Sequence, residues 1–288
     1  MPVRTIQSKD NARLKELRKA FAEPRRGERG LVGIEGPKML EEALRAGLRV
    51  ATVFVAQGAE GLLDGFRLAL GTEILTLPKK LLDAALATET PQPVAALVDP
   101  PDWSWAHVMG DRPKAALVVI LAGIQDPGNL GTILRSAEAF GASGVVSMSG
   151  TVSAWNPKAV RASAGSVFRM PLLVASERQS LEQLREAGVR VLATTVRGAQ
   201  PAALVDMSES VALIIGNEGN GVANDLLAKA DAKITISCPG PVESLNAAVA
   251  ATVLLYEASR QRSVAMSKPP DSPRNPSKGL PHAVGARR

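Results

Sequence analysis

The sequence predicts an α/β protein in two parts, a small N-terminal α/β unit and a larger C-terminal unit built on a parallel sheet. Three observations carry that prediction. Apolar runs rich in Val, Ile and Leu alternate with amphipathic stretches, as expected of a sheet covered on both faces by helices. A proline-broken stretch, DPPDWSWAH (99–107), separates the first hundred residues from the rest. With 288 residues and 45% apolar content, the chain can form two ordinary cores.

The first unit with its linker spans residues 1–105. From Ser8 to Phe21, the spacing of Leu14, Leu17 and Phe21 predicts a helix that Pro24 ends. EGPKMLEEALRAG (35–47) is a second predicted helix, stopped by Gly47. VATVFVA (50–56) reads as a strand, LLDGFRLAL (62–70) as a helix, EILTL (73–77) as a strand and KKLLDAAL (79–86) as a helix. PVAALV (93–98) is the last strand of this unit.

The second unit spans 106–263. Its predicted strands are 117–124, 144–148, 171–174, 189–196, 211–216 and 232–238, with amphipathic helices between them. Val249 to Tyr256 is apolar on nearly every face, which suits a helix in a core or in a subunit interface. From 264 to 288 the chain is basic and proline-rich, and a disordered tail is expected.

The formal net charge is +6, unevenly spread. Residues 1–30 carry +5 and residues 268–288 carry +4, which leaves the body at −3. Basic ends on a mildly acidic body suit a polyanionic partner held at the periphery, although solubility alone could account for them. One cysteine, Cys238, excludes an internal disulfide framework, and with only two histidines a zinc cluster is not expected. The opening stretch has no apolar core of a secretory signal and no run is long enough to span a membrane, so the expected address is cytoplasmic.

In a parallel sheet, ligands bind beyond the carboxyl ends of the strands, and three such junctions are unusual. In LAGIQDPGNLGTILRSAEAFG (121–141), DPGN is turn chemistry with Asn129 as a plausible helix cap. Leu130, Ile133, Leu134 and Ala137 share one helix face, and Arg135 lies far round from them, where it could be a solvated charge. LIIGNEGNGV (213–222) runs from a strand into three glycines around Glu218, which alone could be an ordinary surface carboxylate. The glycines suggest that a ligand approaches the backbone there. In ITISCPGPVESLN (234–246), a strand runs into a Pro/Gly loop, and Ser244 is placed to cap the long helix that follows.

Taken together these loops resemble the SpoU, or TrmH-like, family of RNA ribose 2′-O-methyltransferases in the SPOUT superfamily. The family motif N-x-G-T-I-x-R-x-A matches Asn129, Gly131, Thr132, Ile133, Arg135 and Ala137. The motif G-N-E-G-x-G matches Gly216, Asn217, Glu218, Gly219 and Gly221. The motif I-P-M-x-G-x-x-x-S-L-N matches Ile236, Gly240, Ser244, Leu245 and Asn246, with Ser237-Cys238 in place of Pro-Met and Pro241 where a basic residue is common. NPKAVRASAGSVFRMPL (156–172) is also similar to the family. The N-terminal segments IEGPKMLEEAL and TETPQPVAALV resemble its L30e-like RNA-binding domain, with Pro93 in place of a common glycine.

The resemblance implies an L30e-like substrate-binding domain followed by a SPOUT domain with a deep trefoil knot. It also implies S-adenosylmethionine as cofactor, a homodimer, no metal, and RNA as substrate, with ribosomal RNA favoured over tRNA. Cofactor contacts would centre on Gly216, Asn217, Gly219, Ile236 and Leu245. The catalytic set would be Arg135, Asn129, Glu218, Ser244 and Asn246, and RNA contacts would come from Arg161, Arg169, Arg13 and Lys15. His107 lies in the linker and His282 in the tail, so a histidine base is not expected. Arginine stays protonated, so Arg135 reads as an electrostatic stabiliser of the reacting oxygen, with deprotonation left open. Glu218 could orient Arg135 or an amide such as Asn246. A rival reading makes Cys238 a covalent nucleophile for base methylation, and another makes the chain a non-catalytic ribosome-binding factor.

Overall fold

The computed structural model describes residues 3–24, 30–86, 88–110 and 115–267. The basic stretch 268–288, with His282, lies outside the described residues. In chain order the first part contains β1 (Val3–Thr5), α1 (Ala12–Ala22), β2 (Val32–Glu35), α2 (Pro37–Arg45), β3 (Val50–Ala56), β4 (Glu73–Leu77), α3 (Lys79–Asp83) and β5 (Val94–Val98). Its five strands form a mixed sheet in the order β1-β4-β3-β5-β2, with β5 antiparallel to β2 and β3. Leu14, Leu17 and Phe21 of α1 are buried as their spacing predicts, and Asn11 caps that helix through the Arg13 and Leu14 N–H groups. Glu35 ends β2 and is not the start of the second helix, which begins at Pro37 after Gly36 (φ +94°).

The predicted helix over 62–70 is absent. A single 3-10 turn, Glu60–Leu63, is followed by irregular chain in which Leu70 is 97% exposed. Gly65 interrupts the run, and Leu63, Phe66 and Leu68 pack against the core from irregular chain, so local propensity does not hold a helix here.

The second part contains α4 (Trp105–Met109), β6 (Leu117–Ala122), α5 (Pro127–Ala139), β7 (Gly144–Ser147), α6 (Pro157–Ala162), β8 (Leu172–Val174), α7 (Glu177–Glu186), β9 (Arg190–Thr194), β10 (Gln200–Pro201), β11 (Val211–Gly216), α8 (Asn224–Lys229), β12 (Ala232–Thr235) and α9 (Ala247–Ser267). Seven parallel strands run in the order β10-β12-β9-β11-β6-β7-β8. Leu117, Ile120, Leu213 and Ile214 are fully buried, and each contributes about 1.5–3 kcal/mol relative to exposure. The register pairs Gly216 of β11 with Ala122 of β6, so the loops that leave those two strands start side by side. β9 lies between β11 and β12, which brings the loop after β12 to the same edge.

α9 returns across the sheet and continues to Ser267, past the expected onset of the tail at 264. Arg262 anchors it by donating to the carbonyls of Ala115, Ala116, Met207 and Glu209. Gln261 adds a bond from the Met207 N–H and one to the Val205 carbonyl. Among the described residues, no helix is long and apolar enough to cross a membrane.

Candidate active site

The three unusual loops converge. Asn129, on the first turn of α5, donates from Nδ2 to Glu218 Oε1 at 2.9 Å and accepts on Oδ1 from Asn246 Nδ2 at 3.0 Å. One side chain thus joins the loop after β6, the loop after β11 and the start of α9. Glu218 also accepts from the backbone N–H groups of Gln125 and Asp126, both at 3.1 Å. Surrounding protein pushes the Glu218 pKa up by desolvation. The bonds from Asn129, Gln125 and Asp126 outweigh that and hold it below the ordinary glutamate value. Of the two partners open to Glu218 from the sequence, Arg135 is not engaged, and Asn246 is reached only through Asn129.

Two expected caps are corrected. Asp126, not Asn129, caps α5 by accepting from the Gly128 N–H, and Pro127 fills the first helical position. This frees the Asn129 amide to reach across the loops. Asn246, not Ser244, caps α9 by accepting from the N–H groups of Ala248 and Val249. Chain geometry decides both cases: the helices start later or earlier than the sequence pattern suggests, and the residue at the boundary takes the cap.

Asn217 shapes its own loop. Its Oδ1 accepts from Gly219 and Asn220 N–H, its Nδ2 donates to the Gly123 carbonyl at 2.9 Å, and its backbone pairs with Gly221 in both directions. The glycines do not all serve a ligand. A Cβ on Gly216 would lie 2.2 Å from Gly221 backbone, and one on Gly131 would lie 2.4 Å from the Ala159 carbonyl. Those two are required by chain packing, and Gly221 by its φ of +65°. At Gly219 a Cβ would meet only Asn217 Oδ1 at 3.6 Å and at Gly221 nothing within 4 Å, so these two leave open, side-chain-free wall.

Beside this junction lies a cleft of about 640 Å³. Gly216, Asn217, Glu218, Gly219, Ile236, Ser244 and Leu245 all line it, so every residue expected at the cofactor faces one space. The sequence reading missed Thr195, Asn224 and Val242 on its walls. Only their position just beyond strand ends, or at the start of a helix, pointed to them. Ile236, Leu227, Leu245 and Leu254 offer apolar surface, while Thr195, Asn224 and the open backbone at Gly219 offer polar groups. That donor set fits an adenine-bearing cofactor with an amino-acid tail. Cys238 is exposed on the same wall.

Arg135 lies on the exposed side of α5, with no ion pair or hydrogen bond among the described residues. The four expected RNA-binding cations differ from it. Arg161 pairs with the buried Glu35 at 3.2 Å, and Arg169 pairs with Glu42 at 2.7 Å and with Glu138. Arg13 bonds Glu16 and Glu73, and Lys15 bonds Asp10. Phosphate contact at any of these would exchange an existing carboxylate partner.

A parallel α/β sheet with an amide-tied cleft beyond its strand ends has the architecture of a nucleotide- or cofactor-binding protein. Residues 116–256 match the SpoU rRNA methylase family, and residues 11–96 match the MRM3-like substrate binding domain. The chain is 35% identical over 254 residues to the 23S rRNA (guanosine(2553)-2′-O)-methyltransferase RlmP of Bacillus subtilis, covering 88% of this chain and 98% of that protein. The crystal structure of the SpoU methyltransferase AviRb from Streptomyces viridochromogenes with AdoMet superposes with a TM-score of 0.75 at 29% identity, over 88% of this chain and 98% of that one. AdoMet-bound rRNA methyltransferase from Sinorhizobium meliloti gives 0.76 at 30% identity, over 90% and 98%. The chain belongs to the SpoU rRNA methylase family. It is an S-adenosylmethionine-dependent RNA methyltransferase.

Proposed function

We propose that this chain methylates a ribose 2′-hydroxyl of large-subunit ribosomal RNA, and that the Glu218–Asn129–Asn246 junction positions the reacting nucleotide. The observation that carries the reading is the pair of bonds made by Asn129, which ties all three motif loops together at the edge of the cofactor cleft. The relative RlmP acts on 23S rRNA, which supports the large subunit over tRNA.

S-adenosylmethionine, when bound, supplies an electrophilic methyl group on a sulfonium. Gly216, Asn217, Gly219, Ile236 and Leu245, which line the cleft, would hold it by backbone groups and apolar contact. Glu218 is ionised at neutral pH but fully engaged, so it orients Asn129 and does not take the proton. Arg135, unpaired among the described residues, binds the adjacent phosphate and stabilises the developing alkoxide. Ser244 and Asn246 flank the ribose. Cys238 takes no part.

Residues 1–105 form the substrate-binding part, with Arg13 and Lys15 on its surface and Arg161 and Arg169 at its junction with the methyltransferase part. The chain works as a cytoplasmic homodimer. Val249, Val253 and Tyr256 leave an apolar stripe on α9 that is 49%, 40% and 55% exposed, and a second copy covers it.

Mapping ribose methylation in ribosomal RNA from cells with and without the gene tests the reading. Loss of one methylated position in large-subunit RNA is the expected result. Loss confined to tRNA would move the substrate, and an unchanged map with no cofactor binding would leave a non-catalytic ribosome-binding factor.

A further inference from the structure

The chain has only five Phe, three Trp and one Tyr in 288 residues, and two of the three tryptophans line a cavity that the reaction above does not use. It measures about 600 Å³ and lies where the linker 99–103 meets the carboxyl end of β7 and the edge strand β8. Trp103 comes from the linker and Trp155 from the loop after β7, and both are half-buried. Trp155 is backed by Phe168 in a stacked pair with centroids 6.3 Å apart, and Trp103 meets His107 edge-on at 5.4 Å. The rim carries the hydroxyls of Ser147 and Ser149 and the carboxylate of Asp99, which pairs with Arg49.

This cavity shares a wall with the motif that holds Asn129. Thr151 Oγ1 accepts from the Gly123 N–H at 3.1 Å and donates to the Leu121 carbonyl at 3.0 Å. The Val152 N–H donates to the Ile124 carbonyl at 2.8 Å. On its other side, the Gly123 carbonyl accepts from Asn217 of the cofactor cleft. The two spaces therefore flank one turn.

We infer that this cavity is an RNA subsite that takes one unstacked nucleobase near the methylated nucleotide, against Trp103 and Trp155. The inference rests on the ribose-methyltransferase reading. Sequence-specific RNA recognition works on splayed bases, which stack on aromatic rings and bond through their edges. Hydroxyls and a carboxylate accept from the amino groups of a base, which phosphate lacks, so the rim selects the base over the backbone. Stacking contributes regardless of which base is present, and the polar rim then discriminates among them.

The test uses the full chain carrying Trp105→Phe, so that Trp103 and Trp155 are the fluorescent reporters. Pentaadenylate and pentauridylate should quench the emission, and an abasic pentamer of equal charge should not. Trp103→Ala should raise KM for a ribosomal RNA transcript about tenfold with kcat and the heat of cofactor binding unchanged, and Trp103→Phe should restore much of the loss. Trp155→Phe, which keeps the packing on Phe168, should raise KM by a smaller factor. Equal quenching by the abasic pentamer, or a wild-type KM in both Trp103→Ala and Trp155→Phe, would overturn the subsite. Absence of any heat when S-adenosylmethionine is added to the unsubstituted chain would instead overturn the methyltransferase reading on which it stands.

Discussion

At the seam between the two sheets, Arg161 reaches Glu35 and Arg169 reaches both Glu42 and Glu138, so each cation is matched to a carboxylate. The cleft is arranged the other way. Glu218 accepts from one amide and two backbone N–H groups, and Arg135 has no carboxylate partner among the described residues. The seam neutralises charge internally and so favours a fixed orientation of the two parts. The cleft satisfies its anion with neutral donors, and beside it α5 exposes a cation with no carboxylate partner among the described residues. The same residue types thus serve cohesion in one place and, in the proposed mechanism, chemistry in the other.

The largest expected effect breaks the cleft half of this contrast. Arg135→Ala should lower kcat by about 10²–10³-fold, as for loss of a group that stabilises developing oxyanion charge. Calorimetry should give an unchanged affinity for the cofactor, because Arg135 is not among the residues of the cleft. Full activity would remove Arg135 from the mechanism.

Asn129→Ala comes next. It deprives Glu218 and Asn246 of a partner at once, and an unmatched polar group costs about 1–3 kcal/mol where water cannot replace it. The expected result is a drop in kcat of roughly tenfold or more with a lowered Tm, measured together by single-turnover assay and thermal melt. Normal turnover in a destabilised variant would make the junction structural only.

Arg169→Ala sharpens the seam half. Its guanidinium is partly exposed, so its pairs contribute about 1 kcal/mol after solvent screening. Tm should fall by about 2–4 °C with kcat on RNA little changed. If KM for RNA rises by tenfold while Tm holds, Arg169 contacts phosphate directly and the contrast between the two regions fails there.

The smallest effect is on acid stability. The bond from Arg169 holds the Glu138 pKa below its ordinary value, and Glu218 is likewise depressed once its hydrogen bonds outweigh desolvation. In each case the unfolded chain binds protons first as pH falls, so stability is complete above the unfolded value near ~4.3 and declines below it. Thermal melts between neutral pH and pH 3 should show that decline. Glu138→Gln and Glu218→Gln should each flatten it, and an unchanged slope in both would show that other carboxylates dominate.

Much of the fold was legible because its strands are short apolar runs and its helices carry apolar stripes. Leu130, Ile133, Leu134 and Ala137 are fully buried on one face of α5, as their spacing requires. The helix expected over 62–70 was not formed: Gly65 interrupts it, and Leu63, Phe66 and Leu68 reach the core from irregular chain instead. The glycines were legible as special positions but not by cause. Gly216 reads as a ligand-side residue in the sequence; it does line the cleft, but what forbids a side chain there is the Gly221 backbone within a Cβ's reach.

By itself the sequence determined the two-part α/β organisation and the three motifs, because each follows from residue type and spacing along the chain; the expectation that the motifs share one cleft came with the family resemblance they carry. Only the tertiary structure decided which side chains meet. Strand order places β11 beside β6 and so sets Glu218 against Asn129, 89 residues away, while Arg161 and Arg169 are drawn to carboxylates of the other part. Hydrogen bonds and ion pairs act over about 3 Å, and distances along a chain say nothing at that scale until the chain has folded.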